Sequence, residues 1–284
     1  RPDSILRKED FTNFKANWNP KSDNLKNAAE EMGLLPESFV FVDDNPAERE
    51  IVSKQLPGVA TPAMDKVENY IKVLDHSGYF EVTSLSEEDM KKTAMYHAKA
   101  EANKAVAAFA DYGEYLDSLQ MSAVVEDFKP IYIQRIAQLT NKSNQFNLTT
   151  LRCSEENIKE MQEAENHICL CGRLTDKFAD NGLVTVVIGE VQEKALHMKL
   201  WLMSCRVLKR GLEDVMMNAV IEKARRQGIE AVIGHYYPTA KNAMVKNFYQ
   251  DMGFSKVVEN ADGSSEWSME VSKYIPKETH ILLD

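Results

Sequence analysis

The stretch Met203-Ser-Cys-Arg-Val-Leu-Lys-Arg-Gly-Leu-Glu213 decides how the final third of the chain folds. Before it, apolar residues alternate with the spacing of a strand, at Met198, Leu200 and Leu202. Beyond it, apolar residues recur with the spacing of a helix, at Leu212, Val215, Met216, Ala219 and Val220. The first N–H groups of a helix lack partners and carry partial positive charge, so this order of strand, turn and helix predicts an anion site.

Basic residues within the turn strengthen that prediction. Arg206, Lys209 and Arg210 place three cations between the strand and the helix, and Gly211 stands at the predicted start of the helix. Positive charge and the helix N-terminus would together stabilise a phosphate. The alternative is an ordinary strand-to-helix turn whose cations are simply solvated, and the turn alone leaves both interpretations open.

The residues beyond the helix resemble the C-terminal half of GNAT acyltransferases. Residues 229–234 form a predicted buried strand, and Asn242, Tyr249 and Gly253-Phe254 follow with the spacing of that family. There the strand, turn and helix hold the pyrophosphate or phosphopantetheine of an acyl donor. The resemblance implies that Tyr249 is catalytic, as general acid, and it implies a binding set of Arg206, Lys209, Arg210, Gly211 and Asn242. Lys209 replaces the glycine that usually lies closest to the pyrophosphate.

Cys205 is a second catalytic candidate in this region. It ends the apolar strand beside Arg206 and ahead of the predicted helix, surroundings that favour nucleophilic thiolates. A thiolate there could accept an acyl group from its phosphate and pass it to a carrier thiol. The alternative is that Cys205 is a small buried residue at a strand end.

Composition limits the classes of protein to consider. The chain has 284 residues, enough for about two domains of ~100–200 residues each. Its net charge of -10 argues against nucleic acid as a partner. It has no long apolar run or signal peptide, and its four cysteines do not make a disulfide framework, so we expect a cytoplasmic protein away from membranes. Because the chain begins at Arg1 rather than Met, we expect further residues upstream.

Two adjacent carboxylates follow an apolar run near the N-terminus. Residues 39–42 are predicted to form a parallel strand buried on both faces, ending in Asp43 and Asp44 before Asn45-Pro46 begins a helix. Ligands of open α/β sheets bind at the carboxyl ends of strands, and two like charges there favour a cation such as Mg²⁺. The alternative is that one carboxylate ends the strand and its neighbour caps the helix.

The segments Trp18-Asn-Pro-Lys-Ser-Asp-Asn-Leu25 and Phe41-Val-Asp-Asp-Asn-Pro-Ala-Glu-Arg-Glu50 resemble two motifs of the haloacid-dehalogenase (HAD) superfamily. The most similar members are the FkbH-like proteins of subclass IIIC. The resemblance implies that Lys21 is catalytic and steadies a phosphate, while Asp43 and Asp44 hold Mg²⁺. The first HAD motif, Asp-x-Asp-x-Thr, carries the nucleophile and does not occur in this chain. The Mg²⁺ site is therefore expected to need an N-terminal segment that precedes Arg1.

Amides and hydroxyls dominate residues 138–150. They either form a network of turn hydrogen bonds or bind a polar ligand. The run resembles a signature of FkbH-like proteins. This resemblance supports a ligand or domain-contact role as much as composition supports the turn network. The candidate ligand residues are Asn141, Lys142, Asn144, Gln145 and Asn147.

A zinc site is a weaker hypothesis for the next predicted strand. His167, Cys169 and Cys171 fall on one face of a strand by two-residue alternation. Their spacing does not match the usual cysteine pairs of structural zinc sites, and no second ligand pair follows.

The predicted fold is α/β. A partial HAD-like, Rossmann-type parallel sheet unit is expected over residues 1–85, a connecting helical segment over 86–119 and a GNAT-like α+β domain over 120–284. The resemblance to FkbH-like proteins implies a phosphatase and acyltransferase of polyketide assembly. Such an enzyme takes a glyceryl unit from 1,3-bisphosphoglycerate, removes the phosphate and loads the acyl group onto the phosphopantetheine thiol of an acyl carrier protein.

Two other functions remain open at this point. The first is a GNAT-type N-acyltransferase that uses acyl-CoA, with the HAD-like half as a scaffold. The second is a non-catalytic module that binds a carrier protein. The partners under the main hypothesis are an acyl carrier protein and a small phosphorylated acid.

Overall fold

The computed structural model describes residues 5–82, 85, 87–106, 109 and 111–284 of the chain. Contacts divide the chain into two compact units, Arg1–Lys104 and Ala105–Asp284, and each is described by itself. Every helix among the described residues is too short or too polar to cross a bilayer.

Helices dominate the described part of the first unit. They are α1 (Lys21–Met32), α2 (Pro46–Gln55), α3 (Tyr70–His76), α4 (Glu87–Met90) and α5 (Lys92–Val106). Gly33 ends α1 in the left-handed conformation with φ 67°, which glycine adopts without a steric penalty. Asn45 caps α2, since its side chain accepts a hydrogen bond from the amide of Ala47 at 3.0 Å.

The apolar run 39–42 differs from its prediction as a doubly buried parallel strand. Val40 forms an isolated parallel bridge with Ala60, through the amide of Phe41 at 2.8 Å and the carbonyl of Phe39 at 3.2 Å. Val42 is 43% exposed, because the run has one neighbouring segment and not the covered faces of a central strand. The described residues of this unit therefore show a single parallel bridge and no HAD-like parallel sheet.

The second unit is built on one mixed sheet. Its strands are β1 (Met121–Asp127), β2 (Phe146–Asn147), β3 (His167–Thr175), β4 (Asp180–Gln192), β5 (Ala195–Met203), β6 (Ala231–Tyr236), β7 (Ser255–Glu259), β8 (Ser265–Glu270) and β9 (Ile281–Leu283). Their spatial order is β7-β8-β6-β5-β4-β3-β1-β9, and β2 pairs with β5. Pairing is parallel between β5 and β6 and between β1 and β9, and antiparallel elsewhere. The long β4–β5 hairpin contains the strand predicted from Met198, Leu200 and Leu202.

Two apolar clusters lie on opposite faces of this sheet. The helices of the unit are α6 (Tyr112–Ser118), α7 (Ile133–Lys142), α8 (Glu155–Glu163), α9 (Leu212–Arg226) and α10 (Phe248–Asp251). Residues of α9 pack with Leu196 and Met198 in one cluster, whereas residues of α7 and α8 pack with Leu200 in the other. The alternation of strand side chains thus divides the core between the two faces.

Two segments near the C-terminus form only short elements. Residues 239–254 contain a 3-10 turn, Ala243–Val245, and the single turn α10. Beyond Ile275 the chain returns to the sheet as β9, where Ile281 pairs with Met121. A three-residue strand carries too weak a periodicity to be recognised from sequence.

Candidate functional site

The site lies where β5 and β6 part. The two parallel strands pair over three residues, the last pair being His197 and Ile233. Beyond that point Leu148 stands between them: its amide donates to Trp201 at 3.0 Å, and its carbonyl accepts from the amide of Tyr237 at 2.9 Å. The chain's own segment around β2 therefore fills the gap between the two strands.

The turn between β5 and α9 has the geometry of an open helix N-terminus. Lys209 and Gly211 have left-handed φ angles of 63° and 84°, and a Cβ added to Gly211 would meet no atom within 4 Å. Tyr112 holds the turn by donating its hydroxyl hydrogen to the carbonyl of Lys209 at 2.7 Å. No side chain caps α9 at Gly211, but the carboxylate of Glu213 accepts a hydrogen bond from its own backbone N–H in the first turn, where Asp214 adds a second carboxylate.

The three cations of the turn have different surroundings. Arg210 is buried and forms an ion pair with Asp176, which also accepts a hydrogen bond from Asn181 at 3.0 Å. Arg206 is 9% exposed, and its Nε donates to Ser204 at 3.2 Å. Lys209 is exposed. The guanidinium of Arg210 thus compensates a buried carboxylate, and the predicted contact of the three cations with a phosphate stays a prediction.

Cys205 begins the 3-10 turn Cys205–Val207 directly after β5 and is half-buried. Six residues separate it from Leu212, where α9 begins. Cys205 therefore lies outside the first turn of α9. The role of Cys205 as an acyl acceptor stays a prediction.

Tyr249 is the most deeply buried of the predicted catalytic residues. It is 1% exposed, and its ring lies so close to β6 that a Cβ on Gly234 would stand 2.4 Å from it. Among the described residues its hydroxyl makes no hydrogen bond. Burial raises its pKa well above the ordinary value of 10, and the nearby backbone N–H of His235, which lies outside hydrogen-bond geometry with the hydroxyl oxygen, opposes this shift only in part. The phenol is therefore protonated at neutral pH.

A second buried donor without a partner lies in the same cluster. The indole Nε1 of Trp201 makes no hydrogen bond among the described residues, and Trp201 is 0% exposed. Phe248 connects the two groups, with ring centroids 4.8 Å from Trp201 and 5.4 Å from Tyr249. Phe146 of β2 packs on the same Phe248 ring at 5.3 Å. Two unsatisfied donors in one apolar cluster are unusual, because each costs free energy.

Asn242 is engaged entirely within the protein. Its Nδ2 donates to the carbonyls of Asn147 and Tyr237, both at 2.9 Å, and its Oδ1 accepts from the amide of Thr239 at 2.7 Å. Asn242 is 0% exposed. It therefore ties the β2 segment to the end of β6, which differs from the predicted contact with a phosphate or pantetheine.

The polar run 138–150 forms hydrogen bonds within its own loop. Asn141 donates to the carbonyls of Ala137 and Cys153, and Asn147 donates to Ser143 and accepts from the amide of Thr150. Asn144 accepts from Arg152. Lys142 is exposed at the end of α7 and Gln145 is half-buried. These contacts correspond to the turn-network interpretation for the three asparagines.

A pair of histidines lies on the sheet face opposite α9 and was not predicted from the sequence. His197 Nδ1 lies 3.3 Å from His235 Nε2, and the two rings stack with centroids 5.6 Å apart. His235 Nδ1 lies 3.7 Å from a carboxylate oxygen of Glu266. His197 directly precedes the predicted strand at Met198, and His235 directly follows the predicted strand 229–234. Only the β5–β6 register brings the two histidines together.

Lys21 and Asp43 meet in the first unit, as an ion pair. Burial would raise the pKa of Asp43, but hydrogen bonds from Lys21 and from the amide of Asn45 outweigh it, so the pKa is lowered. Asp44 is exposed, and Arg49 donates to the carbonyls of Asp43 and Asp44. A pocket of about 490 Å³ adjoins Lys21, lined mainly by apolar residues of α1 and by Phe39 and Phe41.

The described residues do not assemble a metal site. Among them, no three or more His, Cys, Asp or Glu side chains converge as a ligand set. Asp43 and Asp44 supply two carboxylates, and Asp43 is compensated by Lys21, so these residues alone do not fit Mg²⁺. At the weaker zinc candidate, burial raises the pKa of Cys169 and of Cys171 to about 12, which disfavours the thiolates that zinc requires.

Comparison with known proteins gives structural similarity without sequence similarity. No family model and no curated protein sequence matches the chain. The ribosomal-protein-S18-alanine N-acetyltransferase from Escherichia coli is 12% identical, with a TM-score of 0.41 over 55% of this chain and 97% of that one. Spermidine N-acetyltransferase from Vibrio cholerae, in complex with CoA and spermine, is 14% identical, with a TM-score of 0.42 over 55% and 98%. The PaiA N-acetyltransferase from Thermoplasma acidophilum, in complex with coenzyme A, is 11% identical, with a TM-score of 0.42 over 52% and 99%.

Proposed function

We propose that the unit Ala105–Asp284 transfers an acyl group from a coenzyme A thioester to a nucleophile, with Tyr249 as general acid. The observation that carries this proposal is the buried hydroxyl of Tyr249, which lacks a hydrogen-bond partner among the described residues. Leaving such a group unsatisfied costs roughly 1–3 kcal/mol. A ligand atom that accepts its hydrogen bond would remove that cost, and the thioester sulfur is an atom of this kind.

The reaction needs a proton donor at the leaving group. When a nucleophile attacks the thioester carbonyl, the C–S bond breaks and negative charge develops on sulfur. The phenol of Tyr249 is in its protonated form, because burial raises its pKa, and it can donate its hydrogen to that sulfur. The apolar cluster around Tyr249 excludes water and so strengthens this hydrogen bond.

The phosphate end of the donor is proposed to bind at the turn before α9. Gly211 gives α9 no side-chain cap and Lys209 is exposed beside it, while the carboxylates of Glu213 and Asp214 lie in the first turn and oppose an anion there. An anion there would gain hydrogen bonds from the backbone and attraction from the helix dipole. Because Leu148 already occupies the edge of β5, the donor reaches Tyr249 only if the β2 segment moves aside.

A matched pair of tyrosine variants tests the proposal. Tyr274 lies in the same apolar cluster, but its hydroxyl donates to Asn218 at 2.7 Å. Tyr249→Phe removes no hydrogen bond, so stability should stay the same or rise while kcat for acyl-CoA falls at least about 10-fold. Tyr274→Phe should lose about 1 kcal/mol of stability and keep its kcat. Turnover is followed by release of the CoA thiol with a panel of acyl-CoA donors and amine acceptors, and equal kcat for wild type and Tyr249→Phe would contradict the proposal.

A second candidate function concerns the first unit. The contact between Lys21 and Asp43, beside a pocket of about 490 Å³, favours a site for a small phosphorylated acid. Under this hypothesis the chain handles a glyceryl unit and loads it onto an acyl carrier protein. Lys21 would hold the phosphate of the acid while Asp43 keeps the lysine in position.

The second candidate is tested with the carrier protein itself. Intact-protein mass spectrometry of a phosphopantetheinylated carrier, incubated with the chain and 1,3-bisphosphoglycerate, should show a glyceryl adduct. Lys21→Met should abolish binding of 3-phosphoglycerate, whereas Lys26→Met, on an exposed position of the same helix, should not. If the chain binds the carrier protein but turns over neither acyl-CoA nor 1,3-bisphosphoglycerate, the result would support a non-catalytic module that binds a carrier protein.

A further inference from the structure

A line of three titratable side chains crosses β8, β6 and β5 on the face opposite α9. Glu266 and His235 are directly paired across β8 and β6, with 3.7 Å between carboxylate oxygen and Nδ1. His235 Nε2 continues the line to His197 Nδ1 at 3.3 Å. Leu196, Met198, Val232 and Tyr236 belong to the α9-side cluster, so strand alternation places these histidines on the other face.

The line favours one set of protons. The carboxylate oxygen of Glu266 lies 3.7 Å from His235 Nδ1, too far for a hydrogen bond, but its negative charge favours an N–H over a lone pair on the nitrogen that faces it, so His235 carries its proton on Nδ1. Nε2 of His235 is then an acceptor, and it requires the proton of His197 on Nδ1. His197 Nε2 is left as a lone pair, and among the described residues no hydrogen bond reaches it. His197 is half-buried, so this lone pair can meet a solute.

The surroundings keep His235 neutral, as this arrangement demands. Burial lowers the pKa of His235, and the nearby His197 and Lys199 add to this shift while Glu266 opposes it. Lys199 is itself paired with Glu190 at 2.8 Å, and the ring of Tyr237 stacks on His235 at 6.4 Å. These are the charged and titratable groups that face His235 from β4, β5, β6 and β8.

We propose that His197 is the general base of acyl transfer, and that His235 and Glu266 are positioning residues that present its Nε2 to the acceptor. This inference rests on the acyltransferase function proposed above. The acceptor class is a neutral amine, which must lose one proton during attack. The acid and the base then lie on opposite faces of β6, since the backbone N–H of His235 faces the hydroxyl of Tyr249 while its imidazole faces His197.

The proton and bond changes balance in this arrangement. The amine nitrogen attacks the carbonyl carbon, an N–C bond forms, and the proton of the amine passes to His197 Nε2. The C–S bond breaks, and the thiolate sulfur takes the hydrogen of Tyr249. His197 then returns its proton to solvent and Tyr249 regains one, so the products are an amide and a thiol.

The pH profile of kcat/KM tests the role of His197. His197→Gln should lower kcat/KM for an amine acceptor about 100-fold and remove the acid limb of the profile, because the base that must be deprotonated is gone. Added imidazole should restore activity to His197→Ala. The control is His280→Gln, since His280 also pairs with a carboxylate, Asp117, at 2.6 Å. His280→Gln should keep the wild-type profile.

A conservative replacement tests the positioning role of His235. His235→Gln keeps an acceptor for His197 Nδ1 and should retain most of kcat/KM, whereas His235→Leu should lose about 10-fold or more and shift the acid limb. If His197→Gln keeps the wild-type activity and pH profile while Tyr249→Phe loses activity, the general-base role of His197 is wrong. The proposed acyltransferase function is then still supported. No turnover by wild type with any acyl-CoA would overturn both.

Discussion

Gly234 shows how closely one residue controls the geometry around Tyr249. A Cβ at this position would lie 2.4 Å from Cε1 and 2.5 Å from Cζ of the Tyr249 ring. Real side chains do not approach that closely, so the ring, the strand or both must shift. The absence of a side chain at residue 234 is therefore what lets Tyr249 lie against β6.

Gly234→Ala is expected to destabilise the second unit by about 1–3 kcal/mol and to lower acyl transfer, because overpacking displaces the acid. Urea denaturation and CoA release measure the two effects. In a Tyr249→Ala background the clash is absent, so the losses from the two substitutions should not add. Additive losses would show that Gly234 is required for another reason.

Asp43 and Lys21 give the first unit a specific dependence on pH. The pKa of Asp43 is lowered from 3.8 and that of Lys21 is raised from 10.5, chiefly through their mutual hydrogen bond against the cost of burial. The contribution of Asp43 to stability is therefore present above about pH 4 and is lost as the pH falls through its lowered folded pKa. That of Lys21 is present up to about pH 10.5 and is lost as the pH rises through its raised folded pKa.

NMR titration of the Asp43 carboxyl carbon should give a pKa below 3.8, and Lys21→Met should raise it, because burial is then opposed only by backbone and more distant charge. Lys26→Met serves as the control, since it removes an exposed charge from the same helix. An Asp43 pKa at or above its ordinary value in the wild-type protein would contradict the ion pair.

At the scale of elements, the β2 segment is the part of the site that could not be read from the sequence. Two residues of strand carry no usable periodicity, and Leu148 owes its place to hydrogen bonds with Trp201 and Tyr237, which are distant in the chain. In contrast, β4, β5 and α9 follow directly from apolar alternation and helical spacing. Local patterns predicted these long elements, whereas pairing between distant segments decided what lies between β5 and β6.

Acyl-CoA binding should release the β2 segment. We expect faster amide exchange at Leu148 and Tyr237 when acetyl-CoA is added, because their hydrogen bonds across the gap open, while the β4–β5 ladder stays protected. Asn242→Ala should accelerate the same two amides without ligand, since Asn242 ties the segment to β6. Exchange rates that do not respond to acetyl-CoA would mean that the donor binds without moving β2.

At the scale of the whole molecule, the sequence predicted candidate residues better than it predicted their surroundings. Lys21 and Asp43 form an ion pair, and Gly211 gives α9 no side-chain cap, while the predicted binding roles of these residues stay predictions. Burial of Arg210 and the enclosure of Asn242 were not predictable, because their partners Asp176 and Asn147 are 34 and 95 residues away. The histidine pair was missed for the same reason, since a strand register is a non-local property.

The central claim is that the unsatisfied hydroxyl of Tyr249 meets an acyl thioester, and Trp201 reports on this because its indole packs on the same Phe248 ring. The chain has three tryptophans, so the indole N–H region of a ¹H–¹⁵N spectrum holds three signals. Trp18 is 103% exposed, and Trp267 donates to Ser265 at 2.9 Å, whereas Trp201 Nε1 has no partner among the described residues. Titration with acetyl-CoA should shift the Trp201 signal alone, and less so in Tyr249→Phe. A Trp201 signal that stays in place at saturating acetyl-CoA would contradict the claim.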